Sequence, residues 1–176
     1  VIRYQITDGS AHLDESAWFA SLNRDVDFIQ IRERELPARE LARLVRRAMR
    51  VGPKILVNDR TDVAIATGAA GVHLRGNSLD PQEVRSIAPQ GFVITVAVHG
   101  EELLPAGIDY ALLAPIFRPL SKLDEREPLG LTKLRQVARA SKIPILALGG
   151  ITLENATDCV EAGAAGVAGI TLFRNH

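Results

Sequence analysis

The sequence predicts a compact (β/α)8 barrel filling residues 1–176 as one domain, and three observations carry that expectation. First, eight short apolar runs alternate with helix-like segments along the chain. Runs apolar on both sides suit a parallel sheet covered by helices. Second, Gly68-Ala69-Ala70-Gly71-Val72 recurs unchanged as Gly163-Ala164-Ala165-Gly166-Val167, with a looser copy at Ala106-Gly107-Ile108-Asp109-Tyr110. Each copy reads as a helix end closed by glycine and followed by a strand. A repeated αβ turn of one design is what such a barrel needs. Third, the stretch from Pro144 to Thr171 reads strand, glycine loop, helix, strand. A doubly wound open sheet is the structural alternative. The chain is short beside the typical barrel of about 250 residues, so its loops must be tight.

The strands are expected at Ile2–Thr7, Val26–Arg32, Lys54–Asn58, Gly71–Leu74, Phe92–Ala97, Tyr110–Ala114, Pro144–Leu148 and Gly166–Ile170. Between them, Leu41, Leu44, Val45 and Ala48 recur at helical spacing and predict a helix over Pro37–Arg50. Further helices are expected at Thr61–Thr67, Pro81–Ile87 and Leu131–Ala140. Asp59 to Asp62 and Thr152 to Asn155 resemble helix starts, and the last helix is cut short at His176.

Composition narrows the function. Basic and acidic residues balance at 21 each, so there is no global field of the kind that marks nucleic-acid binders. No apolar run reaches the 18 or so residues of a membrane span, and no signal peptide is visible. The one cysteine, Cys159, allows no internal disulfide and sits in a helical pattern, where a buried inert thiol is expected. A cytoplasmic enzyme is the simplest reading.

In a barrel the chemistry lies just after each strand's last apolar residue. Those positions are polar here. Strand two leads to Gln30, Arg32, Glu33 and Arg34, strand three to Asn58, Asp59 and Arg60, strand four to His73, Arg75 and Ser78, and strand five to His99. Strand six opens into an irregular stretch from Arg118 to Glu127 that contains Ser121 and Lys122. Strand seven ends on Gly149-Gly150. By period two, Gln30, Arg32 and Arg34 share an inward face, and inward arginines need an anion. Asp59 could serve only as a helix cap, His73 as a satisfied interior histidine and Lys122 as a solvated loop lysine. His99 is divided evenly between structure and function. The glycines after strands seven and eight offer close backbone approach to a phosphate.

These residues resemble the thiamine phosphate synthase and thiazole tautomerase superfamily. The likeness runs through Tyr4-x-Ile6-Thr7-Asp8, Gln30-Ile31-Arg32-Glu33-Arg34, Pro115-Ile116-Phe117 with Ser121-Lys122, and Ala147-x-Gly149-Gly150-Ile151 with Asn155 and Gly166-Val167-Ala168. The most specific block is Asn58-Asp59-Arg60-x-Asp62-Val63-Ala64 followed by Gly71-Val72-His73-Leu74. The resemblance implies a barrel that joins a hydroxymethylpyrimidine, delivered as its diphosphate, to a thiazole phosphate, releasing pyrophosphate with the aid of Mg²⁺. It implies that Gln30, Arg32, Arg34, Asn58 and Lys122 hold the diphosphate, that Asp59 binds Mg²⁺, and that Gly149, Gly150, Ala168 and Thr171 surround the thiazole phosphate. His73, His99 and Ser121 join the expected site. A homodimer is compatible with it.

The chain also departs from that pattern. Ser78 stands where synthases place a second metal-binding aspartate, with Asp80 two residues later. Ala97 replaces a serine, Arg34 a lysine, and Arg118-Pro119 a proline-threonine pair. The run Ile31-Arg32-Glu33-Arg34-Glu35 and the pair Ser78-Leu79 look more like the tautomerase branch, which needs no metal. That branch carries its acid/base histidine where this chain has Pro115. A tautomerase and a phosphate-binding barrel that has lost catalysis are therefore the alternatives to the synthase.

Overall fold

The computed structural model describes residues 1–100, 103–118 and 126–175. Eight parallel strands close on themselves in sequence order, β1 (Ile2–Ile6), β2 (Phe28–Ile31), β3 (Lys54–Asn58), β4 (Gly71–Leu74), β5 (Val93–Val98), β6 (Tyr110–Leu113), β7 (Ile145–Leu148) and β8 (Gly166–Gly169). The register closes where Ile2 pairs Gly166 and Gln5 pairs Gly169. This excludes the open sheet. All eight expected strands are present, each within two residues of its expected bounds.

The helices are α1 (Glu15–Ala20), α2 (Ala38–Ala48), α3 (Thr61–Thr67), α4 (Pro81–Ile87), α5 (Gly130–Ala140) and α6 (Ala156–Glu161). The sequence reading lacked α1. It is one and a half turns long, too short for a periodic apolar face, and only Trp18 on it is buried. Asp14 starts it by accepting from the Ala17 N–H at 2.9 Å. Among the described residues no helix follows β8. Residues 170–175 turn instead, and Asn175 reaches back to the Ser21 and Leu22 carbonyls.

The core has two parts. Between barrel and helices lies an aliphatic shell that includes Ile29, Ile31, Leu44, Val57, Val72 and Ile94. Inside the barrel, Tyr4, Phe28, Leu56, Leu112, Leu146 and Ala168 fill the floor. Side chains alternate between the two along each strand, so Phe28, Gln30 and Arg32 follow one another up the inner face. Cys159 is buried in α6, and burial pushes its thiol up to about 11, as an inert structural cysteine requires.

The repeated turn has a physical cause. Gly68 and Gly163 both sit at positive φ, 72° and 103°, just past a helix. Gly71 and Gly166 then enter the barrel against a neighbouring strand. A Cβ on Gly71 would lie 2.0 Å from the Val93 carbonyl oxygen, and one on Gly166 would lie 2.1 Å from that of Ile2.

Candidate active site at the strand ends

Above the apolar floor lies a buried chain of hydrogen bonds. Gln30 Nε2 donates to Asn58 Oδ1 at 3.0 Å, and Tyr4 OH donates to Gln30 Oε1 at 3.0 Å. The Tyr4 oxygen also meets Thr95 Oγ1 at 3.3 Å, and Thr95 Oγ1 meets His73 Nδ1 at 2.8 Å. One phenolic proton cannot serve two acceptors. Thr95 therefore donates to Tyr4 and accepts from His73, which carries its proton on Nδ1. Burial pushes the His73 pKa down to about 4, with Arg32 and Arg75 lowering it and Asp59 opposing them. His73 is a neutral, fixed side chain of the barrel interior at neutral pH. The chain also orients Asn58, whose Oδ1 is occupied and whose NH2 is left to face the strand ends.

Cations stand above this layer. Arg32 points up from β2, half-buried. Burial, and then the charges of Arg34 and Arg75, push its pKa below the usual guanidinium range. Its guanidinium makes no hydrogen bond among the described residues. Arg34 is exposed, because β2 ends at Ile31 and residues 34 and 35 form a turn. The period-two expectation thus extends to Arg32 and stops there. Arg34 still reaches the rim, where it lines a cleft of about 270 Å³ together with Asn58, Asp59, Arg60 and Arg75.

Glu33 has a different role from its neighbours. It is buried, accepts from Thr7 Oγ1 and Trp18 Nε1 at 2.7 Å each, and accepts from the Ala11 N–H at 3.0 Å. It ties the β1 loop and α1 to β2, holding Arg32 from behind. Arg32 N–H in turn donates to Thr7 Oγ1 at 2.8 Å.

Asp59 is the expected metal ligand, and its surroundings test that expectation. It adopts a left-handed backbone, φ 58°, and its N–H donates to the His73 carbonyl at 2.8 Å. It does not cap α3. One carboxylate oxygen accepts from Ser78 Oγ, and the other accepts from both Nε and Nη2 of Arg75. Asp80 is turned away and caps α4, accepting from the Gln82 N–H at 2.8 Å within a capping box. Asp62 pairs with Arg60 at 2.7 Å. Among the described residues no group of three or more His, Cys, Asp or Glu side chains could hold a metal ion. Mg²⁺ asks for hard oxygen donors in octahedral array at about 2.0–2.1 Å. A single carboxylate with both oxygens already engaged, one of them by a guanidinium, does not fit that ion.

The far side of the barrel mouth holds the glycine loops. Gly149 and Gly150 both have positive φ, and a Cβ on Gly150 would lie 2.6 Å from the Arg118 carbonyl. The β7 loop is therefore laid tightly on the Pro115–Phe117 segment, with Phe117 N–H donating to Gly149 O at 3.0 Å. Ala168 is fully buried and packs in the barrel floor, whereas Thr171 is exposed beyond β8. His99, exposed at the end of β5, has Nδ1 2.9 Å from the Ala114 carbonyl, and Arg126 Nη1 lies 2.9 Å from its Nε2. The sequence reading did not single out Arg126. It did not single out Tyr4 and Thr95 for the site either: apolar neighbours hide them, and only their shared inward register could have revealed them. Ser121 and Lys122 lie outside the described residues.

Residues 4–173 match the family described as "Thiamine monophosphate synthase". The chain belongs to the thiamine monophosphate synthase family. It is 40% identical to a thiamine-phosphate synthase of Methanoculleus marisnigri, over 96% of this chain and 85% of that protein. It is 35% identical to one from Roseiflexus castenholzii, over 97% of this chain and 79% of that protein. Among solved structures, a thiamine phosphate pyrophosphorylase from Pyrococcus furiosus superposes with TM-score 0.80 at 30% identity, over 97% of this chain and 85% of that one. Among the described residues no helix is long and apolar enough to cross a membrane.

Proposed function

We propose that this barrel transfers a hydroxymethylpyrimidine group from its diphosphate to the nitrogen of a thiazole phosphate, giving thiamine phosphate and pyrophosphate. The observation that carries the reading is the cluster of Arg32, Arg34 and Arg75 over an oriented Asn58, with one carboxylate, Asp59, facing it. In this reaction the bond between the pyrimidine methylene carbon and the diphosphate oxygen breaks, and its electron pair leaves with pyrophosphate. The thiazole nitrogen then gives its lone pair to the methylene carbon. Negative charge grows on the leaving group, so preorganised cations there lower the barrier. Arg32 and Arg34 supply that charge, Asn58 donates through its NH2, and Gln30 positions Asn58. Lys122 is assigned to the same leaving group through the resemblance. The thiazole phosphate is assigned to the mouth between β7 and β8, at Gly149, Gly150, Ala168 and Thr171.

The resemblance also implies Mg²⁺, but the donor set at Asp59 does not fit it, so no step is routed through a metal. A tautomerase would need a group to move a proton on the thiazole. The tautomerase branch carries its acid/base histidine where this chain has Pro115, which has no proton to offer. The transferase is therefore preferred. The single free cysteine suits a cytoplasmic setting.

The test is incubation of the purified protein with both phosphorylated substrates, following thiamine phosphate by mass spectrometry. Product that requires both substrates and appears with an equal amount of pyrophosphate supports the reading. Absence of product, with thiazole phosphate still bound, refutes the transferase.

A further inference from the structure

We propose that Arg75, clamped by Asp59 and Ser78, takes the place of a divalent cation and binds the diphosphate directly, so that diphosphate binding needs no metal ion. The proposal rests on the transferase reading above and deepens it.

The clamp is built from three parts. The left-handed backbone at Asp59, fixed by its N–H bond to the His73 carbonyl, turns the carboxylate toward the end of β4. Ser78 joins both partners: its hydroxyl donates to Asp59 Oδ1 and accepts from the backbone N–H of Arg75 at 2.7 Å. The 75–78 turn is closed by Ser78 N–H on the Arg75 carbonyl at 3.0 Å. Arg75 then gives Nε and Nη2 to Asp59. Its Nη1 bonds nothing among the described residues, and its side chain is 40% exposed at the cleft. A guanidinium held on one edge and open on the other is set to bind phosphate oxygens.

Charge completes the argument. Asp59 and Arg75 cancel, and Arg32 and Arg34 remain positive beside them. Arg75 lies near enough to act electrostatically on both Arg32 and His73. The clamp therefore presents donors without adding negative charge to the diphosphate's surroundings. An aspartate at position 78 would change this. It could not donate to Asp59, and it would place a second carboxylate beside the first. Ser78 and Arg75 are a matched pair, a neutral donor at one position and a fixed cation at the other.

The experiment is calorimetric titration of inorganic pyrophosphate into the intact protein, in EDTA and in Mg²⁺, with thermal melts as the control for folding. The wild-type protein is expected to bind in EDTA about as tightly as in Mg²⁺. Arg75→Met is expected to weaken binding in EDTA by about tenfold or more, the loss of one charge-assisted contact. Arg75→Lys is expected to recover part of it, because lysine keeps the charge but not the fork. The double substitution Arg75→Gly with Ser78→Asp is expected to make binding depend on Mg²⁺. Wild-type binding seen only with Mg²⁺ would overturn the proposal and leave the transferase reading standing. Undiminished binding by Arg75→Met would also overturn it, handing the role to Arg32 and Arg34. No binding under either condition would overturn both.

Discussion

His73 makes the fold acid-sensitive in a range where few other groups titrate. Its native pKa is about 4, against 6.5 for the free side chain. Between those values the unfolded chain binds a proton that the folded chain refuses, so stability falls as pH falls through this window. At pH 4.5 the unfolded histidine is almost fully charged while the folded one is mostly neutral. Two pH units of differential protonation correspond to about 2.5 kcal/mol of lost stability relative to pH 7.5. Glu15, held down to about 2 by its hydrogen bonds from Arg43 and Arg47, adds its own loss only below its ordinary value of 4.5. The assay is urea unfolding at pH 7.5, 6.5, 5.5 and 4.5, read by fluorescence of the single tryptophan, Trp18, which is buried. His73→Gln keeps a hydrogen-bonding group toward Thr95 and does not titrate, so its stability should change little over this range. Equal wild-type stability at pH 7.5 and 4.5, or a His73→Gln variant that keeps the full loss, would refute the reasoning.

Three other substitutions probe separate parts of the account. Glu33→Ala strips the partner from Trp18 Nε1, Thr7 Oγ1 and the Ala11 N–H, and should cost about 3 kcal/mol or more by urea unfolding. Gly71→Ala forces a methyl group against the Val93 carbonyl and should lower the melting temperature by about 5 °C or more, whereas Gly76→Ala, with open space around it, should leave it nearly unchanged. Arg32→Ala should leave the fold intact and lower turnover by about a hundredfold, the usual effect of deleting one donor to a developing anion; turnover like wild type would remove Arg32 from the site.

The sequence and the structure agree best where one physical rule dominates. Strands buried on both faces announce themselves as apolar runs, which is why all eight, and the Gly-Ala-Ala-Gly turns between them, were legible. The inward placement of Gln30 and Arg32 followed from strand period alone. Arg34 escaped that rule because the strand ends at Ile31 and residues 34 and 35 turn away from its line. Glu33 reads like one more polar strand-end residue. Only tertiary contact with Trp18, 15 positions away, and with Thr7, 26 positions away, reveals it as a buried tie. The metal expectation at Asp59 had its warning in Ser78, but the guanidinium that engages the carboxylate comes from Arg75, sixteen positions along the chain. The Tyr4–Thr95 link spans 91 positions and has no local signal at all.

The central claim is that the diphosphate lies at the β2–β4 end of the barrel, on the arginines. A crystal structure of the protein with inorganic pyrophosphate tests it most directly. The account predicts phosphate density within hydrogen-bonding distance of Arg32 and Arg75 Nη1, with the Asp59–Arg75 pair intact. Pyrophosphate found only at the β7–β8 glycine loops, with the arginine cluster unengaged, would contradict it.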